Sequence, residues 1–158
     1  MGRGVTGALV LAAAIAAFGA REPHAEQSMD EQRVHAANQA FYAAASARDM
    51  TQMDVVWAHE PYVRAIHPTN VHIDTGWEAV RAGFQTLFER YAEISVSMPQ
   101  PHLRVGDTVA WVTGEEQFKA RRSSGETVSA TLMGTNVFEK SAADWLMVHH
   151  HVSGPPQQ

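Results

Sequence analysis

The hydrophobic period of the chain changes once, a little past its middle, and this change constrains the fold more than any other feature. Before it, apolar residues recur every three or four positions, as Trp77, Val80 and Phe84 do; after it they come at every second position, as Ile94 and Val96 do. The first spacing is typical of an amphipathic helix and the second of a half-buried strand. Helices followed by a run of strands indicate an α+β domain, with the helices on one face of a sheet.

The same patterns predict the individual elements. A second, short helix should end before Pro61, because the residue before proline avoids the helical region. Thr75 and Glu78 have the spacing of a capping box and predict the start of a third helix. The predicted elements are a helix from about Ser28, helices near 50–57 and 76–91, a strand at 62–67, and strands at about 94–98, 102–105, 108–121, 127–140 and 145–153.

The first twenty residues predict export. Arg3 is their one charged residue, and the apolar run Ala8–Phe18 is followed by the small residues Gly19 and Ala20. This is the pattern of a secretory signal peptide, and the run is shorter than the roughly 20 residues of a membrane span. We therefore expect an exported bacterial protein, periplasmic or secreted, with a signal peptide at 1–20 cleaved at about 19–25, a flexible leader at 21–28, one domain at 29–154 and a disordered tail at 155–158.

Composition limits the partners. The chain has no cysteine, so the domain must be held together by its core and not by disulfides. Its net charge is −5, and removal of Arg3 with the signal peptide would make it more negative. A mildly acidic domain without clusters of lysine and arginine argues against a nucleic acid partner, and against a membrane partner after cleavage.

Three consecutive histidines stand in the last predicted strand. Side chains on a strand point alternately to its two faces. This alternation puts His149 and His151 on one face with Trp145 and Met147, and His150 on the other. We predict that His149 and His151 face a pocket, since imidazole titrates near neutral pH and suits proton transfer. Structural hydrogen bonding and simple surface exposure remain as alternatives.

Both faces of the late strands carry apolar residues. Val109 and Trp111 lie on one face of their strand, and Ala110 and Val112 lie on the other. The helices can cover only one of these faces, and monomeric proteins rarely expose large apolar patches. The pattern therefore predicts a homodimer that forms through the outer face of the sheet.

Several short motifs follow one another in a characteristic order, and together they resemble the SnoaL-like branch of the nuclear transport factor 2-like superfamily. The resemblance runs from about residue 30 to 154. It implies a cone, in which a curved antiparallel or mixed sheet wraps around the N-terminal helices and encloses a pocket, and it also implies dimers. The motifs are Ile66-His67-Pro68, Gly76-Trp77-Glu78-Ala79-Val80, Gly106-Asp107, Ala110–Gly114, Thr135–Phe138, and Trp145 with His149–His151 and Ser153.

The resemblance leaves three functions open. The first is a cavity that binds a small apolar molecule and carries out acid–base chemistry of the isomerase, cyclase or dehydratase type, although no clear Tyr/Asp/Asp set like that of the ketosteroid isomerases is present. The alternative is a non-catalytic ligand-binding or dimeric interaction domain. The third and least favoured is a metal site formed by His149 and His151 with His67 or His72. We expect no cofactor.

Candidate site residues follow from strand alternation. His67 shares a face with Val63 and Ala65 and is predicted to cap the pocket, unless it instead stabilises the turn beside Pro68. Glu115 is the carboxylate predicted as a base if its face points inward, and the alternation alone does not decide between the two faces of Trp111–Glu116. The predicted catalytic residues are His149, His151, His67 and Glu115, and the predicted ligand-binding residues are Tyr42, Trp111, Thr113, Met133, Thr135 and Met147.

Overall fold

The computed structural model describes residues 23–142 and 144–154. The predicted signal peptide, residues 21 and 22 of the predicted leader and the predicted tail lie outside this part of the chain. In the described part, no helix is long and apolar enough to cross a membrane. The elements are α1 (Pro23–Ala47), α2 (Met50–Val56), β1 (Arg64–Ile66), β2 (Asp74–Thr75), α3 (Trp77–Arg90), β3 (Glu93–Ser97), β4 (His102–Val105), β5 (Val109–Arg121), β6 (Thr127–Ser141) and β7 (Asp144–Ser153).

The strands form one mixed sheet, which confirms the predicted α+β class. Its order is β2-β1-β7-β6-β5-β3, with β4 also paired to β5. The pairing of β1 with β7 is parallel, and the other strand pairs are antiparallel. Helix α1 packs against β3 and β4 towards one end of the sheet and against β7 towards the other. The sheet therefore curves around this helix, as a cone requires.

The core fills the space between the helices and the concave face of the sheet. Phe41 of α1 lies at its centre, with its ring centroid 5.8 Å from that of Phe84 on α3 and 6.4 Å from that of Trp57. Phe138 and Met147 close the core from the sheet side and are fully buried. Burial of such side chains, at about 1.5–3 kcal/mol each, provides the main stabilising contribution in a domain without disulfides.

Two element boundaries differ from the sequence prediction, whereas α2 ends at Val56, close to its predicted end. Helix α1 begins at Pro23, earlier than the predicted start at about Ser28. The predicted capping box at Thr75 and Glu78 is wrong, because Thr75 belongs to β2, where it pairs with Arg64, and the N-cap of α3 is Gly76. Gly76 has φ 83°, a conformation that glycine adopts without the steric cost of a side chain.

A β-bulge in β7 reverses which residues face inward. Val137 of β6 lies opposite His149, but the next residue, Phe138, lies opposite Met147, so Val148 has no partner on β6. An extra residue on one strand shifts the side-chain alternation beyond it by one position. Trp145 and Met147 therefore point into the core before the bulge, and His150 points inward after it.

Even-numbered residues face inward along β5 and β6. Ala110, Val112 and Glu116 of β5 are buried, whereas Trp111 and Glu115 are exposed. The register of β5 with β6 carries the same alternation across to Gly134, Asn136 and Phe138, which are buried. The sequence left open which face of Trp111–Glu116 points inward, and the structure shows that it is the face of Val112 and Glu116.

Candidate functional site

A cavity of about 230 Å³ lies on the concave side of the sheet. Residues of α1, α3, β3, β5, β6 and β7 line it. Most of its wall is apolar, and its ionisable lining residues are His67, Tyr91, Glu116, His150 and the exposed Arg90. An apolar hollow with a few converging polar groups is the usual form of a small-molecule site. The principal apolar residues of the wall are Phe41, Phe88, Ile94, Phe118, Leu132 and Val152.

Glu116 brings a carboxyl group into this apolar wall. The side chain is only 5% exposed, and the hydroxyl group of Tyr42 on α1 donates a hydrogen bond of 3.1 Å to its Oε2 atom. Burial raises the pKa of Glu116 to about 7, and the hydrogen bond from Tyr42 offsets part of this effect. Burial and the neighbouring charge of Glu116 raise the pKa of Tyr42, so the phenol stays protonated. A carboxyl group with a pKa near ambient pH suits general acid–base catalysis.

A buried chain of hydrogen bonds joins Glu116 to His150. Asn136 Nδ2 donates to the Tyr42 hydroxyl oxygen at 3.3 Å and to Asn38 Oδ1 at 2.7 Å. Asn136 Oδ1 lies 2.7 Å from His150 Nδ1. Each of these residues is at most 5% exposed, and the hydrogen bonds that join them fix the orientations of the side chains.

His150 lies on the cavity wall because of the bulge at Val148. Its ring is 2% exposed, and its centroid lies 4.8 Å from that of Phe41. Burial, with smaller contributions from His67, His149 and His151, lowers the pKa of His150 well below its ordinary value. His150 is therefore an uncharged imidazole at neutral pH.

His67 faces the cavity from the end of β1, on the side predicted by the alternation with Val63 and Ala65. Burial lowers its pKa to about 4, against a smaller opposing effect of Asp74. Its Nε2 atom is buried without a hydrogen-bond partner among the described residues. The turn that follows is held by the backbone carbonyl of His67, which accepts from the N–H of Asn70 at 3.0 Å, and not by the ring.

Seven of the predicted site residues lie on the outer face of the sheet, so the prediction that they face the cavity is wrong. The bulge at Val148 turns His149 and His151 outward, where they are partly exposed. On β5 and β6, packing of the even-numbered residues against the helices leaves the odd-numbered ones outside. The seven are His149, His151, Glu115, Trp111, Thr113, Met133 and Thr135.

Two of the remaining predicted residues are internal but differ in position. Tyr42 belongs to the hydrogen-bonded chain next to the cavity. Met147 is fully buried in the core, where it pairs with Phe138 and forms a bridge to Trp57, and it does not line the cavity.

The sequence reasoning missed Glu116, Asn136 and His150. A signal for Glu116 exists, because it shares its strand face with Ala110 and Val112, small apolar residues that indicate the buried side. The same argument applies to Asn136, which stands between Gly134 and Phe138 on its face. No comparable signal exists for His150, since its orientation depends on a bulge in the pairing of two strands.

The predicted metal arrangement is not formed. The sheet separates His67 on its concave face from His149 and His151 on its convex face, and His72 lies exposed in the loop before β2. Within the two described segments, no group of three or more His, Cys, Asp or Glu residues could hold a metal ion.

Comparison with known proteins agrees with this architecture. Residues 34–157 match the SnoaL-like domain family. The F-box protein SKIP8 of Arabidopsis thaliana is 26% identical over 116 residues, which cover 73% of this chain and 47% of that protein. The chain thus spans about half the length of this relative.

Solved structures show the same fold. A proposed dehydratase of the NTF2-like family from Streptomyces avermitilis superposes with a TM-score of 0.74 at 23% identity, over 82% of this chain and 99% of that one. A proposed calcium/calmodulin-dependent protein kinase type II association domain from Thiobacillus denitrificans has a TM-score of 0.66 at 30% identity, over 77% and 94% of the two chains. Because the family match covers residues 34–157, the chain belongs to the SnoaL-like domain family, and it shares its fold with solved structures of the nuclear transport factor 2-like superfamily.

Proposed function

We propose that the protein binds a small, largely apolar molecule in its cavity and that Glu116 transfers a proton to or from it. The observation that carries this proposal is a cavity-lining carboxyl group, hydrogen-bonded to Tyr42, whose pKa is about 7. Near neutral pH such a group is present in both protonation states, so it can remove a proton and return it.

The surroundings of Glu116 support a particular role for each oxygen. The Tyr42 hydroxyl occupies Oε2, which leaves Oε1 for a ligand. The apolar wall formed by residues such as Phe118 and Leu132 limits the water near this oxygen. In a site of low polarity, proton transfer at a carbon next to a carbonyl is the reaction that such a carboxylate can promote. The similarity to a proposed dehydratase agrees with chemistry of this type.

The test measures proton exchange directly. Small ring ketones, with and without a ring hydroxyl, are incubated with the protein in D₂O, and loss of the protons next to the carbonyl is followed by nuclear magnetic resonance. We expect acceleration by the wild-type protein, with a pH midpoint near 7. Glu116→Gln should reduce the rate by about 10²–10⁴-fold, as loss of a general base does.

Glu115→Gln is the matched control, because it makes the same chemical change one residue away on the exposed face. It should leave the rate within a factor of two. Equal rates for Glu116→Gln and wild type would overturn the proposed chemistry. If wild type and Glu116→Gln both bind the ketones but neither accelerates exchange of their protons, the result would favour a binding protein that has no catalytic activity.

We further propose that the protein is a homodimer formed through the convex face of the sheet. Trp111 is 47% exposed there and Met133 is 58% exposed, and Val137, His149 and His151 lie on the same face. An exposed apolar surface of this kind is typical of an interface. The relative described as a proposed kinase association domain supports self-assembly as the use of this face.

We also propose that the protein is exported. The proposal rests on the sequence of residues 1–20, in which a single arginine precedes the apolar run Ala8–Phe18. Expression of the full chain in a bacterium and N-terminal sequencing of the protein from the periplasm would test it. Recovery of a chain that still carries Arg3 would contradict the proposal.

A further inference from the structure

We propose that the cavity selects an uncharged molecule that bears a hydroxyl group, and that this hydroxyl hydrogen-bonds to the ring nitrogens of His67 and His150. The inference concerns the same cavity as the proposed function, on which it rests, and it adds the class of ligand. It stands on the hydrogen-bonded chain behind His150, on the buried nitrogen of His67 and on the short distance between the two rings.

The direction of the hydrogen bonds fixes the tautomer of His150. When Glu116 is ionised, the single hydroxyl hydrogen of Tyr42 goes to Oε2, so the atom of Asn136 that meets the Tyr42 oxygen at 3.3 Å must be its NH₂ group. The amide oxygen of Asn136 is then the atom 2.7 Å from His150 Nδ1, and it can only accept. His150 therefore carries its proton on Nδ1. Because the ring is uncharged, Nε2 has no proton and is an acceptor.

His67 supplies the second nitrogen. Its ring centroid lies 5.3 Å from that of His150, and its Nε2 atom is buried without a hydrogen-bond partner among the described residues. A buried polar atom without a partner costs free energy. A ligand that provides the partner recovers this cost, so the nitrogen favours a polar group at this end of the cavity.

A hydroxyl group matches both nitrogens. It has one donor hydrogen and two acceptor lone pairs, so it can donate to the unprotonated Nε2 of His150 and accept from His67 when His67 carries its proton on Nε2. Two hydrogen bonds of about 2.8 Å that meet at one oxygen at roughly 110° join nitrogens about 4.6 Å apart, a span compatible with the 5.3 Å between the two ring centroids. An ether or ketone oxygen has no hydrogen to donate to the unprotonated Nε2 of His150. A carboxylate would lie beside two uncharged imidazole rings, which offer it no opposite charge.

The size of the cavity limits the rest of the ligand. A buried cavity of about 150 Å³ holds benzene, whereas pockets for drug-sized molecules begin near 300 Å³. The present cavity, about 230 Å³, therefore fits a molecule of one substituted ring. Its body would lie against Phe88, Ile94 and Val152, with the hydroxyl at the histidine end and Glu116 on the wall beyond.

The experiment compares three probes of nearly equal size at pH 8: 4-ethylphenol, its methyl ether 4-ethylanisole, and 4-ethylbenzoate. Isothermal titration calorimetry should show 4-ethylphenol bound at least tenfold more tightly than either of the others. His67→Phe keeps an aromatic ring in place but removes the nitrogens. It should reduce the preference for the phenol over the ether to less than threefold, while the ether binds as it does to wild type.

His151→Phe is the matched control on the convex face and should keep the full preference. None of the three probes carries a hydrogen on a carbon next to a ketone, so their binding does not depend on the proposed proton exchange, and failure of the proposed chemistry is distinguishable from failure of this inference. Three results would overturn the inference: no measurable binding of any probe, equal affinity of wild type for the phenol and the ether, or a preference that survives in His67→Phe. A preference lost in Glu116→Gln but kept in His67→Phe would place the hydroxyl at the carboxylate instead.

Discussion

The concave and convex faces of β5 and β7 carry the same residue types in opposite environments. Glu116 is 5% exposed and lines the cavity, whereas Glu115 next to it is exposed to solvent. His150 is buried in a hydrogen-bonded chain, whereas His149 and His151 on either side are partly exposed. The chemistry of these groups is therefore set by the face on which they lie and not by their residue type.

The physical cause of this difference is desolvation. Removing a carboxylate from water disfavours its charged form, which raises the pKa of Glu116 to about 7. The same effect favours the uncharged form of an imidazole and lowers the pKa of His67 to about 4. Side chains on the convex face are at least partly exposed, although partial burial still lowers the pKa of His149 there. That face therefore provides a comparison residue for each buried group.

The largest expected effect is on the pH dependence of stability. The pKa of Glu116 is raised from 4.5 to about 7, so its contribution to stability is complete below pH 4.5 and is lost as the pH rises through 7. At 1.36 kcal/mol per unit of pKa, this loss amounts to up to about 3 kcal/mol. Glu116→Gln has no charge to bury, so urea unfolding should show it to be more stable than wild type by up to that amount at pH 8. The difference should disappear near pH 4.5.

Glu115→Gln should change the free energy of unfolding by less than about 0.5 kcal/mol at either pH, as exposed substitutions usually do. An equal effect of the two substitutions at pH 8 would contradict the distinction between the faces.

The second effect concerns the histidines of β7. His150→Leu leaves the buried amide oxygen of Asn136 without its partner, which should cost about 1–3 kcal/mol in the free energy of unfolding. His151→Leu, one residue further along the strand, should cost less than about 0.5 kcal/mol. Urea denaturation at pH 7.5 measures both. A larger loss for His151→Leu would reverse the assignment of the faces in β7.

The third effect concerns the convex face alone. Trp111→Glu places a charge at the centre of the proposed dimer interface and should weaken dimerisation by about 2 kcal/mol, or roughly 30-fold in Kd, as changes at central aromatic residues do. Light scattering across a range of concentrations would measure the shift. Val55→Glu, at a 67% exposed position on α2, is the control and should leave the dimer intact. A wild-type protein that is monomeric at micromolar concentration would contradict the proposed dimer.

Much of the fold was predictable because it depends on local patterns. The spacing of Trp77, Val80 and Phe84 on α3, and the alternation along β5, follow from the geometry of a helix and of a strand. The start of α3 was less predictable. Thr75 belongs to β2 and pairs with Arg64 of β1. This tertiary contact overrides the helix capping that the local spacing of Thr75 and Glu78 favours.

Less of the candidate site was predictable. Strand alternation placed His67 on the correct face, and the helical periodicity of α1 placed Tyr42 inside. The same reasoning selected Glu115 in place of Glu116, because alternation groups residues by face but does not say which face is covered. That choice depends on contacts with α1, which lies more than sixty residues earlier in the chain.

The sequence alone determined the class of the helices and of every strand except β2, the family resemblance, and which residues share a face along an uninterrupted strand, since all of these depend on neighbours in the chain. The tertiary structure decided the bulge at Val148, the inward turn of His150 and the raised pKa of Glu116. Each of these depends on the register between strands or on burial by distant residues. A shift of one position in the pairing of β6 with β7 exchanges the buried histidine with its exposed neighbours, and local sequence does not specify that shift.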